Sequence, residues 1–162
     1  MVNTVNKEYR PDIAARIKVE QVLDLERVSY DDYMDILFDF LQEIMRLNEE
    51  KLSQHVRKKL HIYLHAVREY IGGEKLGCEL KPLRIDAWKE YNKQKGVDKA
   101  MIRVFVIALY DKESFQNEES CFDILALIFS LLRSVDEKLC AIFGQFLINS
   151  PTMEKYKLLT CD

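Results

Sequence analysis

Residues 34–52 read MDILFDFLQEIMRLNEEKL, and residues 122–139 read FDILALIFSLLRSVDEKL. Each has an apolar residue before Asp-Ile-Leu, then an apolar run with helical spacing, a short polar turn, and a Lys-Leu that opens the next segment. One residue must be skipped in the turn to align both ends. The pattern predicts a helix, a turn and a helix, twice. It decides the fold class as all-α: a compact bundle or a short stack of six to seven helices, with room for two related helical hairpins.

Outward from these blocks, the same periodicity recurs. Pro11 suits a first helical turn, because the missing N–H would be unpaired there anyway. Ile13, Ile17, Val19, Val22, Leu23 and Leu25 predict a first helix reaching about Val28. Ser29 is a good N-cap, with Asp31 and Asp32 placed for the positive helix end. Tyr33, Ile36, Leu37, Phe40, Leu41, Ile44 and Leu47 then line one face to about Asn48. Leu52, Val56, Leu60, Tyr63, Leu64, Val67 and Ile71 line the next helix, which Gly72-Gly73 should stop.

The stretch GGEKLGCELKPL (residues 72–83) has three glycines and a proline. Its composition predicts a linker, with a helix resuming at Arg84 and running to Lys95. Val97 to Tyr110 is rich in β-branched residues, but its helical neighbours favour helix over strand. Residues 111–119 read as a polar loop. Asn117 or Ser120 is a candidate cap for a helix through Arg133. Ser134 precedes a final long helix to Ile148, and Ser150-Pro151 breaks it. The organisation expected is a flexible lead-in over 1–10 and one helical domain over 11–162, with a linker or insert near 72–96.

Composition bounds the function classes. The chain has 162 residues, 48% apolar and 31% charged, with a formal net charge of -3. That length supports one core, and that charge gives no general attraction to phosphate or anionic lipid. Cys78, Cys121, Cys140 and Cys161 form no CxxC pair, so they read as free thiols of a reducing compartment. The polar start and the short apolar run from Ile124 to Leu132 predict neither a signal peptide nor membrane insertion. A cytoplasmic or nuclear location is the expectation.

Two charge stripes call for an explanation. Asp31, Asp35, Asp39 and Glu43 recur every fourth residue, where like charges repel. Arg57, His61, His65 and Arg68 follow on the next helix. An antiparallel hairpin turning near residue 50 would set Glu43 by Arg57, Asp39 by His61, Asp35 by His65 and Asp31 by Arg68. The plain reading is an ion-pair ladder that carries a pH sensitivity through its histidines. A distant alternative is a carboxylate–histidine metal bundle using Asp35, Asp39, His61, His65 and Glu69. The helix carries HxxxHxxxE and neither HExxH nor Glu-x-x-His, so no metal ligand is assigned and no cofactor is expected.

No GxSxG elbow and no GxxxxGK[ST] loop occurs, and Cys78 has no sequence-defined base. The expectation is therefore a noncatalytic protein-recognition, scaffold or adaptor domain whose partner is a protein or peptide, acidic or helical. The insert holds the candidate partner-binding residues: Trp88 and Tyr91 as amphipathic anchors, with Arg84, Lys89 and Lys93 supplying charge. Packing of Trp88 into the core is the competing role. The main alternative is a nucleic-acid module, in which the same rings stack on bases and Lys81, Lys95 and Lys99 extend the positive stretch. Glu74, Glu79, Asp86, Glu90 and Asp98 interrupt that stretch. Exposed aromatic residues beyond these would favour an oligomer.

Overall fold

The computed structural model describes residues 9–116 and 121–159. Their fold is all-α. Seven substantial helices and one short one are α1 (Pro11–Glu20), α2 (Tyr30–Asn48), α3 (Gln54–Ile71), α4 (Gly77–Lys93), α5 (Gly96–Ile107), α6 (Lys112–Gln116), α7 (Cys121–Val135) and α8 (Lys138–Asn149). A 3-10 segment, Pro151–Tyr156, follows the last helix. Among the described residues there is no strand, only an isolated antiparallel bridge between Leu23 and Lys157.

The first helix is shorter than its apolar pattern predicts. It ends at Glu20, and the chain then turns through a 3-10 segment, Leu25–Arg27. Leu23, Leu25 and Val28 are nevertheless buried. Their spacing reflects what they pack against rather than a helix. The Asp24 N–H donates to the Tyr156 carbonyl at 2.8 Å, and the Leu158 N–H to the Val22 carbonyl at 2.8 Å. The C-terminal segment thus pairs backbone groups of the irregular turn that follows α1.

The next two helix starts follow the sequence closely. Ser29 Oγ accepts the Asp32 N–H at 3.2 Å to open α2. Ser53 Oγ accepts the Val56 N–H at 3.3 Å to open α3. Gly72 ends α3, and Gly73 takes a φ of 78°, where a Cβ would be strained. The expected long linker shrinks to a few residues, because α4 begins at Gly77. The Glu79 carboxylate accepts the Leu76 N–H at 2.7 Å and fixes that start. Pro82 lies in the second turn, where its missing N–H removes the usual helical hydrogen bond to the Cys78 carbonyl.

The core joins α2, α7 and α8 through three buried rings. Phe40 and Phe143 have centroids 4.4 Å apart, and Phe129 and Phe143 are 4.9 Å apart. Each such side chain contributes about 1.5–3 kcal/mol on burial. Phe105 is also buried, whereas Phe38 and Phe146 are half-buried against this core. Cys140 is buried, donates its Sγ–H to the Phe129 carbonyl at 3.3 Å, and has its thiol pushed up to about 11 by burial. Cys78 is exposed.

Helix α1 packs across α7 and α8. Gly144 of α8 faces α1, and a Cβ there would meet Val19 Cγ2 at 3.4 Å, an ordinary van der Waals contact. Asp12, only 4% exposed, faces Arg133 of α7 at 3.6 Å and Arg10 at 3.2 Å. Both quoted blocks lie in helix–turn–helix segments, although the helices that follow them differ, with 18 residues in α3 and 12 in α8. The candidate caps Asn117 and Ser120, most of the 1–10 lead-in, the Cys121 and Phe122 side chains, and Cys161 lie outside the described residues. No helix among the described residues is long and apolar enough to cross a membrane.

Candidate functional site

The predicted charge ladder does not form. Among the described residues no ion pair links Asp31, Asp35, Asp39 or Glu43 to Arg57, His61, His65 or Arg68. Glu43 pairs instead with Arg46 on its own helix at 2.6 Å, and Arg57 with Glu49 at 3.9 Å. His65 faces Glu69 at 3.4 Å, and Asp31 faces Lys112 at 3.8 Å. A hairpin register relates residues by level along two helices and leaves open which side of each helix faces the other. The acidic edge of α2 borders α8 and the C-terminal segment, where Asp32 pairs with Lys155 at 2.7 Å. Asp35 makes no ion pair among the described residues, and partial burial and its neighbours Asp32, Asp39 and Asp31 raise its carboxyl above the usual range.

The same sidedness separates the residues of the postulated metal bundle. No group of three or more His, Cys, Asp or Glu side chains among the described residues is placed to share an ion.

Helix α3 presents His55, Lys59 and Tyr63 to α4, and this sorts the charges of α4. Asp86 accepts from Lys59 Nζ at 2.9 Å and from the Tyr63 hydroxyl at 2.7 Å. Burial opposes its ionisation, but the Tyr63 and Lys59 hydrogen bonds hold its carboxyl below the usual range. Glu90, 5% exposed, lies 2.9 Å from His55. That hydrogen bond, with lesser help from Gln94 and Lys93, lowers the Glu90 carboxyl. Asp98 accepts the Ser53 N–H at 3.0 Å. Asp86, Glu90, Asp98 and the capping Glu79 are therefore all engaged inside the fold.

The cations on the opposite flank of α4 are engaged with rings instead. Trp88 and Tyr91 stand edge to face with centroids 5.4 Å apart. The Arg103 guanidinium lies 4.9 Å from the Trp88 centroid, and Lys99 Nζ lies 4.6 Å from the Tyr91 centroid. The spacing explains the arrangement: Trp88 and Tyr91 are three apart on α4, Lys99 and Arg103 four apart on α5, and each pair shares a helix face. Neither Arg103 nor Lys99 pairs with a carboxylate among the described residues. A guanidinium has five N–H donors, so one held over a ring can still serve a second partner.

The five candidate residues do not share one face. Trp88 and Tyr91 are half-buried on the α5 side and pack against the core edge. Arg84 lies 4.4 Å over the Tyr110 ring and donates to the Leu109 carbonyl at 3.2 Å, so it closes the end of α5. Lys93 reaches Glu90 at 3.7 Å on the α3 side. Lys89 is exposed, and helical geometry sets it about 100° round from Trp88. Arg103 escaped the sequence reading because it sits in an apolar run, MIRVFVIALY. The available signal was its position four residues after Lys99.

Beside these cations, α5 and α7 leave a trough. A groove of about 400 Å3 includes Tyr91, Val97, Ala100 and Leu131 in its lining, and a cavity of about 120 Å3 beyond it includes Ile107, Tyr110, Ile124 and Leu127. Arg103 borders both. On α7, Ile124, Leu127 and Leu131 recur on one stripe and are only half-buried. One guanidinium that pairs with no carboxylate among the described residues thus stands within a largely apolar lining.

Comparison of the chain with protein-family models, with curated proteins and with solved structures finds no match.

Proposed function

We propose that the chain is a noncatalytic protein-recognition module and that it binds through the face formed by α4, α5 and α7. The sorting of charge carries this reading. The carboxylates of α4 are engaged with α3 or with backbone, while Lys99 and Arg103 are held over rings and pair with no carboxylate among the described residues. Rings that fix a cation lower the entropy lost when that cation meets a partner. Half-buried aliphatic residues alongside supply area that a partner can cover. Trp88 and Tyr91 then act chiefly by positioning cations, with Tyr91 also lining the groove.

Protein stands ahead of nucleic acid because cations already cover the aromatic faces. Bases bind single-strand modules by stacking on open aromatic faces. Here Arg103 and Lys99 each cover a face of Trp88 and Tyr91. The test is capture from native extract, with and without nuclease, comparing the wild-type chain with a Lys99→Glu/Arg103→Glu variant. Proteins retained through nuclease and lost with the variant support the reading. Binding that nuclease abolishes would overturn it in favour of nucleic acid.

A further inference from the structure

We propose that the trough between α5 and α7 takes a short segment of a partner protein in which one carboxylate is flanked by bulky apolar side chains. Arg103 would hold the carboxylate, and the apolar stretches on either side of it would hold the flanking residues. This rests on the protein-recognition reading and adds the chemistry of the occupant.

Three features of the trough specify that occupant. First, Arg103 borders both the groove and the cavity, so a charged contact lies between two apolar ones. Second, its guanidinium is positioned by Trp88 and has no carboxylate among the described residues. A planar fork held this way suits a carboxylate, which it can grip with two parallel N–H donors. Third, Ile124, Leu127 and Leu131 have the i, i+3, i+7 spacing that lines one side of a helix-bounded groove. Lys99 lies at the Tyr91 end and would favour a second acidic residue there. A purely apolar segment would leave Arg103 desolvated without a counter-charge, which costs more than it gains. A purely acidic one would leave the apolar lining wet.

The probe is a phage-displayed library of short random peptides, panned on the full chain at physiological salt. Arg103→Gln serves as the counter-target. Ser134→Phe, at an exposed position on the groove rim, blocks the trough without changing charge. Circular dichroism checks that both variants are folded. The expected peptides carry Asp or Glu between bulky apolar residues. They lose about tenfold or more in affinity with Arg103→Gln, lose binding with Ser134→Phe, and weaken with salt. Peptides without carboxylates that Ser134→Phe still blocks would overturn the acidic occupant and leave protein recognition standing. Peptides indifferent to both variants, or none at all beside tight binding of single-stranded RNA or DNA, would overturn both.

Discussion

The guanidinium of Arg103 on α5 lies 4.9 Å from the centre of the Trp88 indole on α4. Trp88 is the only tryptophan in the chain. The ring that positions the cation is therefore also a built-in fluorescent reporter for it. Arg103→Gln should change the Trp88 emission while costing only about 0.5–1 kcal/mol of stability, the range for a cation over a partly exposed ring. Trp88→Ala should cost more, about 2–3 kcal/mol, because a half-buried ring leaves the core edge. Urea titrations of both variants check this. A loss beyond ~2 kcal/mol for Arg103→Gln would mean that the guanidinium is committed to the fold.

The contact between Glu90 and His55 sets a pH dependence. The folded Glu90 carboxyl lies below its ordinary value of 4.5. Its stabilising contribution is thus fully present above that value and is lost as the pH falls through the folded value. Glu90→Gln should cost about 1–3 kcal/mol at neutral pH. The gap between wild type and variant should close on acidification below pH 4.5. Chemical denaturation at a series of pH values measures it, and a constant gap would show that the charge is not what stabilises the contact.

Asp32 ties the C-terminal segment to the start of α2. It accepts from Lys155 and from the Tyr156 hydroxyl, and these two contacts, Lys155 first, hold its carboxyl below the usual range. Asp32→Asn should weaken the fold by about 1–2 kcal/mol at neutral pH. By the same sign argument, the difference should fade as the pH drops below the ordinary 3.8. Amide exchange should quicken at Asp24 and Leu158, whose N–H groups bond across this junction. Unchanged exchange at both would detach Asp32 from the anchoring of this segment.

Gly77 and Gly144 should respond to alanine in opposite directions. At Gly144 a Cβ meets Val19 Cγ2 at 3.4 Å, an ordinary contact, so Gly144→Ala should stabilise by up to about 1 kcal/mol through helix propensity. At Gly77 a Cβ would fall 2.7 Å from Asp111 Cβ. Gly77→Ala must push α4 off that loop and should destabilise by about 1–3 kcal/mol. Thermal melts of the two variants give the signs.

Much of the fold was legible because the signals were local. Ser29 opens a helix, Gly72 closes one, and the Val97–Tyr110 run is helical through Ile107 despite its β-branched content. Other expectations failed where tertiary packing wins. Leu23, Leu25 and Val28 have helical spacing yet pack from an irregular turn. The glycines and proline of residues 72–83 look like a linker, but the Glu79 cap starts a helix among them. The charge ladder failed because register along a hairpin leaves side undetermined, and α4 occupies the side that the ladder ignored. Trp88 and Tyr91 stood out in the sequence as large amphipathic residues. Their partners Lys99 and Arg103 become apparent only when α4 and α5 are laid together.

The most direct test of the recognition face is a photocrosslink from its rim. Lys95 is exposed and directly precedes Gly96 of the groove lining, and a diazirine-bearing lysine analogue in its place would leave the groove open and trap whatever lies there in living cells. The account predicts a discrete protein adduct that resists nuclease and disappears when Arg103→Glu is added to a folded chain. An adduct with nucleic acid, or a protein adduct that survives Arg103→Glu unchanged, would contradict it.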